Sequence, residues 1–406
     1  MRKILIVLIL LVTPAAAIGV STLWGPVSSG AVLLALHLPG PPVPHDLPSS
    51  YEPLHQGHVD SGTGIYFRQD EDLVLPGTPP FVLRRTYRSG DPVSREFGVG
   101  ATHNGEWYLR GDPDDLWWAE LILEDSMRID FQRSSPGRSV SNAMFVHTED
   151  TSEYYGARLG WVGMFWAMRL NRGDLLLFTP CGHPSTTCSI VKRRDADGHW
   201  IHFRRDRSGV LEEIVAGEAR IALTYDKGGR ISRAEDSTGH SVDYGYDQGG
   251  RLIKVTSSEG ANRSYTYGSG GEMLTIEEQG LFIQNTYEDG RCVRQQIDIR
   301  HKDGTMSRQI SKWAYTIRND RIVATEVSRS NGSRSRYEFT ERGYHTTETL
   351  QDAFGRRGIV TLHRDPATLA VKTLHVSCFP GRQNSTEPLA GRSIEQATEE
   401  LLRTCW

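Results

Sequence analysis

The sequence contains few of the features that mark a catalytic or nucleic-acid-binding protein. It has no Gly-x-Ser-x-Gly or His-Glu-x-x-His motif, and its glycine-rich stretches do not match a phosphate-binding loop. Its 46 lysines and arginines are balanced by 50 aspartates and glutamates, which gives a net charge of −4 and leaves no basic patch along the chain. We therefore expect no enzyme activity, no cofactor, no metal and no nucleic-acid partner.

Cysteine is also scarce: the chain has five, an odd number that cannot all pair. Cys181 and Cys188 flank a short polar loop, so we predict a disulfide between them, and no fourth ligand lies nearby to make the loop a structural zinc site. We predict a second disulfide between Cys378 and Cys405. Cys292 then remains as a free thiol, which we expect to be buried like a small hydrophobic residue.

The longest apolar run lies at the N-terminus. Residues 1–17 combine a basic start, an apolar stretch from Ile4 to Val12 and an Ala-x-Ala ending, which predicts a secretory signal peptide. The alternative is an uncleaved membrane anchor that extends to about residue 38, since Ile4 to Trp24 is long enough to span a bilayer. Residues 39–54 are rich in proline and indicate a stiff linker. We expect a periplasmic or extracellular protein, or one anchored in the inner membrane with its body outside the cytoplasm.

What the sequence does contain is a periodic pattern of tyrosines. Four of them recur at intervals of 21, 21 and 20 residues, and a glycine-rich turn follows each one. A fixed period of this size is typical of a repeat protein built from one small structural unit. The residues that define the repeat are Tyr225, Asp226, Gly229, Arg230, Tyr246, Asp247, Gly250, Arg251, Tyr267, Gly271, Tyr287, Gly290 and Arg291.

Each repeat unit predicts a β-hairpin. From Ile221 to Tyr225, large side chains alternate with smaller ones as in a half-buried strand, and Asp226 to Gly229 supply turn chemistry before a second strand. Weaker copies occur at Phe203, Tyr315 and Tyr337, so we predict one continuous β-sheet from about residue 170 to 378. Stacked hairpins keep equivalent side chains in register, which predicts one column of tyrosines and one apolar column. The apolar column consists of Ile231, Leu252, Met273 and Cys292.

The Tyr-Asp-x-x-Gly-Arg rhythm resembles the YD repeats of Rhs (rearrangement hotspot) proteins, relatives of the teneurins and of insecticidal toxin-complex shells. A second stretch agrees: Asp72 to Gly77 and Phe81 to Ser89, followed by the glycine-rich Phe97 to Gly100, resemble the segment that opens Rhs shells. The resemblance covers roughly residues 55 to 375. It implies an all-β fold of stacked hairpin repeats that form a curved sheet or a partial shell.

This resemblance sets the expected domain organisation. We expect an Rhs-type N-terminal β segment over residues 55–170, a YD-repeat region over residues 171–378 and a C-terminal tail over residues 379–406. Within the tail, Ser393 to Arg403 predict a short amphipathic helix. The sequence shows neither the autoproteolytic core nor the toxin domain of long Rhs proteins, so the resemblance implies the repeat fold and not toxin release.

These features favour an exported, non-enzymatic scaffold for protein interaction or encapsulation, related to polymorphic toxin systems. A short shell has an open concave face and two sheet edges, and unpaired edges invite pairing with another strand. We therefore expect a protein partner or self-association through the edges, with the N-terminal segment and the C-terminal tail capping the two ends.

Three alternatives remain open. The first is an envelope module that binds a glycan or a protein, and the second is an inactive fragment of a toxin locus. The third is a glycosidase-like enzyme, since six tryptophans lie between residues 107 and 200 among many acidic residues.

Overall fold

The computed structural model of the chain describes residues 59–111, 118–124, 127–136, 139–148, 154–180, 188–340, 343–364, 371–379 and 384–388. The predicted signal peptide, linker and C-terminal helix lie outside these residues. In the part described, no helix is long and apolar enough to cross a membrane. Nearly all of the regular secondary structure in the same residues is β-strand, with one 3₁₀ turn at Val140–Asn142 and no α-helix, so the all-β prediction is confirmed.

Thirty strands follow one another along the described chain. They are β1 (Phe67–Leu75), β2 (Phe81–Arg88), β3 (Ser94–Arg95), β4 (Gly98–Val99), β5 (Ala101–His103), β6 (Tyr108–Gly111), β7 (Trp118–Ile122), β8 (Arg128–Arg133), β9 (Met144–Val146), β10 (Arg158–Val162), β11 (Phe165–Arg169), β12 (Leu175–Phe178), β13 (Cys188–Arg194), β14 (Trp200–Arg205), β15 (Leu211–Ala216), β16 (Ala219–Tyr225), β17 (Ile231–Asp236), β18 (Ser241–Tyr246), β19 (Leu252–Ser257), β20 (Asn262–Tyr267), β21 (Met273–Glu278), β22 (Leu281–Glu288), β23 (Arg291–Arg300), β24 (Met306–Arg318), β25 (Arg321–Arg329), β26 (Arg334–Phe339), β27 (His345–Gln351), β28 (Arg357–Arg364), β29 (Val371–Phe379) and β30 (Asn384–Pro388).

Strands β6 to β30 form one antiparallel sheet in which each strand pairs with the next along the chain. The sheet also closes on itself, because the start of β13 pairs with β6. Ser189 lies opposite Tyr108, and the N–H of Ile190 donates to the carbonyl of Trp107 at 2.9 Å. Strands β6 to β13 therefore form a closed ring, and β14 to β30 continue from it. The continuous sheet is confirmed, but it begins well before residue 170, and its first edge is paired.

The interior of the ring is a packed core. Phe131, Phe145 and Phe178, from three different strands, are each at most 1% exposed. Trp161 and Trp166 are buried beside them and stack edge to face with ring centroids 5.5 Å apart. These two tryptophans were candidates for sugar binding, and they are core residues instead.

The aspartate of each repeat holds its turn. In the first unit, Oδ1 of Asp226 accepts hydrogen bonds from the backbone N–H groups of Gly228 at 2.8 Å and Arg230 at 3.0 Å. Oδ2 accepts a third bond from Nε of Arg230 at 2.9 Å. Asp247 and Arg251 repeat the backbone bond and the guanidinium bond one unit later. A single side chain thus satisfies the turn backbone and orients the arginine of its own unit.

The tyrosine of each repeat is bonded to the unit before it. The hydroxyl of Tyr246 donates to the carbonyl of Ile231 at 2.6 Å, so the aromatic column is tied to the apolar column. The same bond joins Tyr225 to Leu211, Tyr267 to Leu252, Tyr287 to Met273 and Tyr315 to Cys292. The two predicted columns are therefore confirmed, and each repeat is joined to its predecessor by one partly buried hydrogen bond.

Removing one of these hydroxyls is expected to weaken the stack slightly. Tyr246→Phe should lower the free energy of unfolding by about 1 kcal/mol, because the carbonyl of Ile231 loses its donor. The ring stays in place, with the guanidinium of Arg230 still 4.7 Å from its centroid. Urea denaturation measures the loss. Tyr155→Phe is the control, since Tyr155 is 45% exposed and lies outside the repeats. Equal losses in both variants would contradict the assignment.

Three of the five cysteines lie in the described part of the chain. Cys292 in β23 is buried and carries a free thiol, in the apolar column where the repeat spacing puts it. Burial raises its pKa to about 12, so the thiol is an inert core group. Cys188 lies in β13 and Cys378 in β29, but Cys181 and Cys405 lie outside the described residues. The two disulfides therefore stay predictions.

Candidate functional site: the seam between the N-terminal segment and the repeats

Residues 59–106, here called the N-terminal segment, lie across the inner face of the repeats. Strands β1, β2 and β5 form a small antiparallel sheet, and β1 contacts β16, β17 and β18. Farther along, the hydroxyl of Thr325 donates to the carbonyl of Ser61 at 2.6 Å. The prediction that this segment caps one end of the sheet is wrong. It contacts the repeats along one face, from β16 to β25, because its polar groups find their partners there.

The backbone of the N-terminal segment docks at irregularities that the repeats provide. The strand pairing shifts by one residue at Tyr225 and at Tyr287, which is a β-bulge in each unit. The N–H of Ile231 donates to the carbonyl of Glu96 at 2.7 Å, and the N–H of Cys292 donates to the carbonyl of Gly64 at 2.8 Å. The bulges thus leave donors on the inner face, and the segment supplies their acceptors.

A third backbone contact requires a glycine. Gly98 has φ +88°, and a Cβ built on it would overlap the carbonyl oxygen of Gly250 in a repeat turn. This close approach lets the N–H of Val99 donate to that same oxygen at 3.0 Å. The glycine-rich stretch therefore brings two backbones into contact where any side chain would keep them apart.

A buried ionic network fixes the segment to the repeats. The side chain of Asp72 is fully buried and accepts from Nε of Arg85, from Nη1 of Arg263 and from the hydroxyl of Tyr244, each at 3.0 Å. Two of these three donors come from strands that lie more than 170 residues later in the chain. Asp72 thus links the two parts of the protein directly.

Asp70 is the second carboxylate of this network. It binds Nε of Arg68 at 2.9 Å and Nη2 of Arg85 at 3.2 Å, and it accepts from the hydroxyl of Tyr265 at 3.2 Å. Burial opposes its charge, but the guanidinium groups of Arg85 and Arg68 outweigh burial and hold the pKa of Asp70 well below its usual range.

Glu278 closes the network by binding Nη2 of Arg68 at 2.9 Å and Nε of Arg263 at 3.3 Å. The network then contains three arginines and three carboxylates, so its charges balance. A balanced, fully bonded set is the form in which charges are tolerated in a protein interior. Because each carboxylate is held by arginines, none is free to act as a general acid or base.

A second polar cluster lies at the other end of the seam, where Glu96, His103 and Glu106 bring their side-chain oxygens and nitrogens within 4.8 Å of one another. His103 is fully buried, and its Nε2 lies 2.7 Å from Oε2 of Glu96. Its Nδ1 accepts from the N–H of Gly105 at 3.1 Å, which places the ring proton on Nε2. Both ring nitrogens are engaged, so the donor set does not fit a metal ion.

The third member of the cluster faces a cavity of about 360 Å³. Oε2 of Glu106 and the hydroxyl of Tyr108 line this cavity, and both are buried without a hydrogen-bond partner among the described residues. Burial raises the pKa of Glu106. The hydrogen bond to Glu96 outweighs burial and raises the pKa of His103. The cavity is roomy enough for water to satisfy both orphaned groups.

The raised pKa of Glu106 predicts how stability depends on pH. The folded protein holds this proton more tightly than the unfolded chain, so its stabilising contribution is present at acidic pH and is lost as pH rises. We expect the free energy of unfolding to fall as pH rises above about 4.3, the usual pKa of a glutamate. Glu106→Gln should flatten the acidic part of this slope in urea titrations at several pH values. The exposed Glu212→Gln is the control, and an unchanged slope in Glu106→Gln would refute the assignment.

Two family models match the chain over the regions that build this seam. One, described as a domain of unknown function (DUF6531), matches residues 56–131, and the other, described as RHS Repeat, matches residues 225–262. Together with the hydrogen-bonded tyrosine columns, these matches define a protein of stacked YD hairpins whose N-terminal segment docks on its own repeats. The matches support an Rhs/YD-repeat protein, with the RHS Repeat model matching residues 225–262.

Solved structures show only distant likenesses. TcdB2-TccC3 without its hypervariable C-terminal region is 10% identical, with a TM-score of 0.34 and coverage of 79% of this chain and 22% of that chain. TcdB2-TccC3 gives 9% identity and a TM-score of 0.36 with the same coverages. A porin-like protein from Bacteroides uniformis is 11% identical, with a TM-score of 0.22 and coverage of 57% of this chain and 91% of that chain. This chain spans about a fifth of the TcdB2-TccC3 chains. No curated protein matches the sequence.

The structure places the predicted repeat residues at the turns and in the two columns, and it reveals a set that the sequence did not single out. That set is Arg68, Asp70, Asp72, Arg85, Arg263 and Glu278. Asp72 and Arg85 belong to the stretch that resembles the opening of Rhs shells, but nothing in the spacing assigns them a role. The one signal in the sequence was the charge pattern of β1. Charged residues alternate along this strand at positions where a strand with one buried face would carry apolar residues.

Proposed function

We propose that this chain is an exported, non-enzymatic scaffold that acts through protein interaction at its outer surface, and not through encapsulation. The observation that carries the proposal is the position of the N-terminal segment. It occupies the inner face of the repeats, which is the face that would line a container.

Two further features support the proposal. The ring of β6 to β13 is filled by its own side chains, with Phe131 and Phe178 fully buried. The ionic network of the seam balances its own charges. A partner then has the outer face of the sheet, or an edge of it, as its binding surface. The predicted signal peptide would place this surface outside the cytoplasm.

The experiment is native mass spectrometry of the full chain purified from the exported fraction, combined with small-angle scattering. We expect a mass equal to one chain or a small multiple of it, with no enclosed polypeptide, and a scattering profile of a solid particle. A second polypeptide that stays bound in high salt and resists protease would contradict the proposal. So would a profile with the density deficit of a hollow shell.

A further inference from the structure

We propose that the cavity of about 360 Å³ at the seam binds the ammonium group of a small primary amine. The cavity lies where three parts of the chain meet. Glu106 lines it from the N-terminal segment, Tyr108 from the ring and Arg205 from the strands that continue from the ring. A ligand held in this cavity would therefore contact all three parts at once.

Two polar groups of the cavity have no hydrogen-bond partner among the described residues. They are Oε2 of Glu106 and the hydroxyl of Tyr108, and both atoms are buried. Tyr108 as a whole is only 7% exposed. Polar groups removed from bulk water carry a cost in free energy unless something bonds to them. Water can fill this role for folding, and a ligand with better-placed donors would displace it.

Glu106 carries the one uncompensated charge among the described residues that line the cavity. The other four charged residues of the lining are bonded within the protein, and their two positive and two negative charges cancel; they are Arg95, Glu96, Glu124 and Arg205. The nearby His103 adds no charge, because its Nδ1 accepts from the N–H of Gly105. Oε1 of Glu106 accepts the N–H of Glu96 at 3.4 Å. An ionised Glu106 therefore gives the cavity a net negative charge.

The two orphaned groups favour an ammonium ion over other ligands. An ammonium group has three hydrogen-bond donors and one positive charge, so it can donate to Glu106 and Tyr108 at once and compensate the carboxylate. Burial disfavours this carboxylate and raises the pKa of Glu106, and a cation beside it would act in the opposite direction. A calcium ion takes about six to eight oxygen ligands, more than these two side chains supply. An anion would be repelled by the ionised carboxylate.

The rest of the lining indicates the size and character of the amine. Ile122 and Leu123 are buried and give the cavity an apolar wall on which a short aliphatic chain can pack. Gly209 and Gly229 line it from two turns, and a Cβ added to either would meet no atom within 4 Å. These turns therefore leave room beside the cavity. Its volume lies near the lower end of the range for small-molecule sites, about 300–1,000 Å³. We therefore expect a short aliphatic amine.

This proposal goes beyond the scaffold role, because it assigns a small-molecule ligand to a buried site. The test uses the full chain and propylammonium at about pH 8, well above the usual pKa of a glutamate, with binding followed by saturation-transfer NMR. We expect saturable binding with a dissociation constant of about 1–10 mM, since a ligand of about four heavy atoms makes few contacts. The alcohol n-propanol has the same chain without the charge, and it should bind about tenfold more weakly or worse.

Two variants locate the binding site. Glu106→Gln should weaken binding by about tenfold or more, because it removes the charge that the ammonium group meets. Tyr108→Phe should weaken it by about three- to tenfold, because it removes one hydrogen bond and keeps the ring. Both changes affect groups that lack a partner in the fold, and melting temperatures show that the variants fold. The exposed Glu212→Gln is the matched control, and its affinity should stay within about twofold of the parent.

Three results would overturn the proposal. The first is the absence of saturable binding to the parent chain, and the second is an affinity in Glu106→Gln equal to that of the control. The third is n-propanol binding as tightly as propylammonium, which would make the cavity a purely apolar site. A competition arm adds KCl at the same concentration as propylammonium. Displacement by K⁺, which has no hydrogen-bond donor, would also overturn the proposal and assign the cavity to a metal cation.

Discussion

Replacing Asp72 by asparagine is expected to lower the free energy of unfolding by about 3–5 kcal/mol, the cost of breaking a buried ion pair by removing one partner. The side chain of Asp72 is fully buried and accepts three bonds, two of them from the guanidinium groups of Arg85 and Arg263. Asparagine fills the same volume but removes the charge, so two buried cations lose their shared counter-ion. Urea unfolding followed by tryptophan fluorescence measures the effect.

The matched control is Glu71→Gln, on the same strand but on its opposite face. Glu71 lies 3.6 Å from Arg84, and the two side chains are 60% and 38% exposed. An exposed pair of this kind contributes at most about 1 kcal/mol. If the Asp72 variant does not fold, Tyr244→Phe provides a milder test, because it removes one hydrogen bond to the same carboxylate. Equal effects at positions 71 and 72 would mean that the network does not hold the seam.

Gly98→Ala is expected to cost about 3–4 kcal/mol, which combines left-handed backbone strain with overpacking. The new Cβ would overlap the carbonyl oxygen of Gly250 and press on the ring of Tyr246. Relieving this overlap separates the two backbones and breaks the bond from Val99 to Gly250. Hydrogen exchange should therefore show faster exchange at Val99, together with a lower melting temperature.

Gly239→Ala separates the two contributions. Gly239 has φ +93°, close to that of Gly98, but no atom lies within 4 Å of its added Cβ. It should therefore show the backbone strain alone, about 1–2 kcal/mol. The difference between the two variants measures the close approach at the seam. A difference near zero would show that the N-terminal segment can move away from the repeats without cost.

The repeats could be predicted from the sequence because each one is defined by neighbouring residues. Asp226 and Arg230 are four positions apart, and their bonds close within one turn. The tyrosine reaches only as far as the preceding unit, as Tyr246 does to Ile231. Local chemistry of this kind repeats with the sequence period, so one unit predicts the next, including the buried position of Cys292.

The seam and the ring could not be predicted in the same way, because their contacts join distant residues that share no period. Asp72 meets Arg263 across 191 positions, and Ser189 pairs with Tyr108 across the closure of the ring.

The long reach of the seam has a consequence for how the chain matures. The bond between Ser61 and Thr325 spans 264 residues. At a synthesis rate of about 5–20 residues per second, about 13 to 53 s pass between the appearance of these two residues. During that time the charged groups of the N-terminal segment lack their partners from the repeats. The part of the protein that is made first is therefore among the last to reach its final place, and its folding time is set by the far end of the chain.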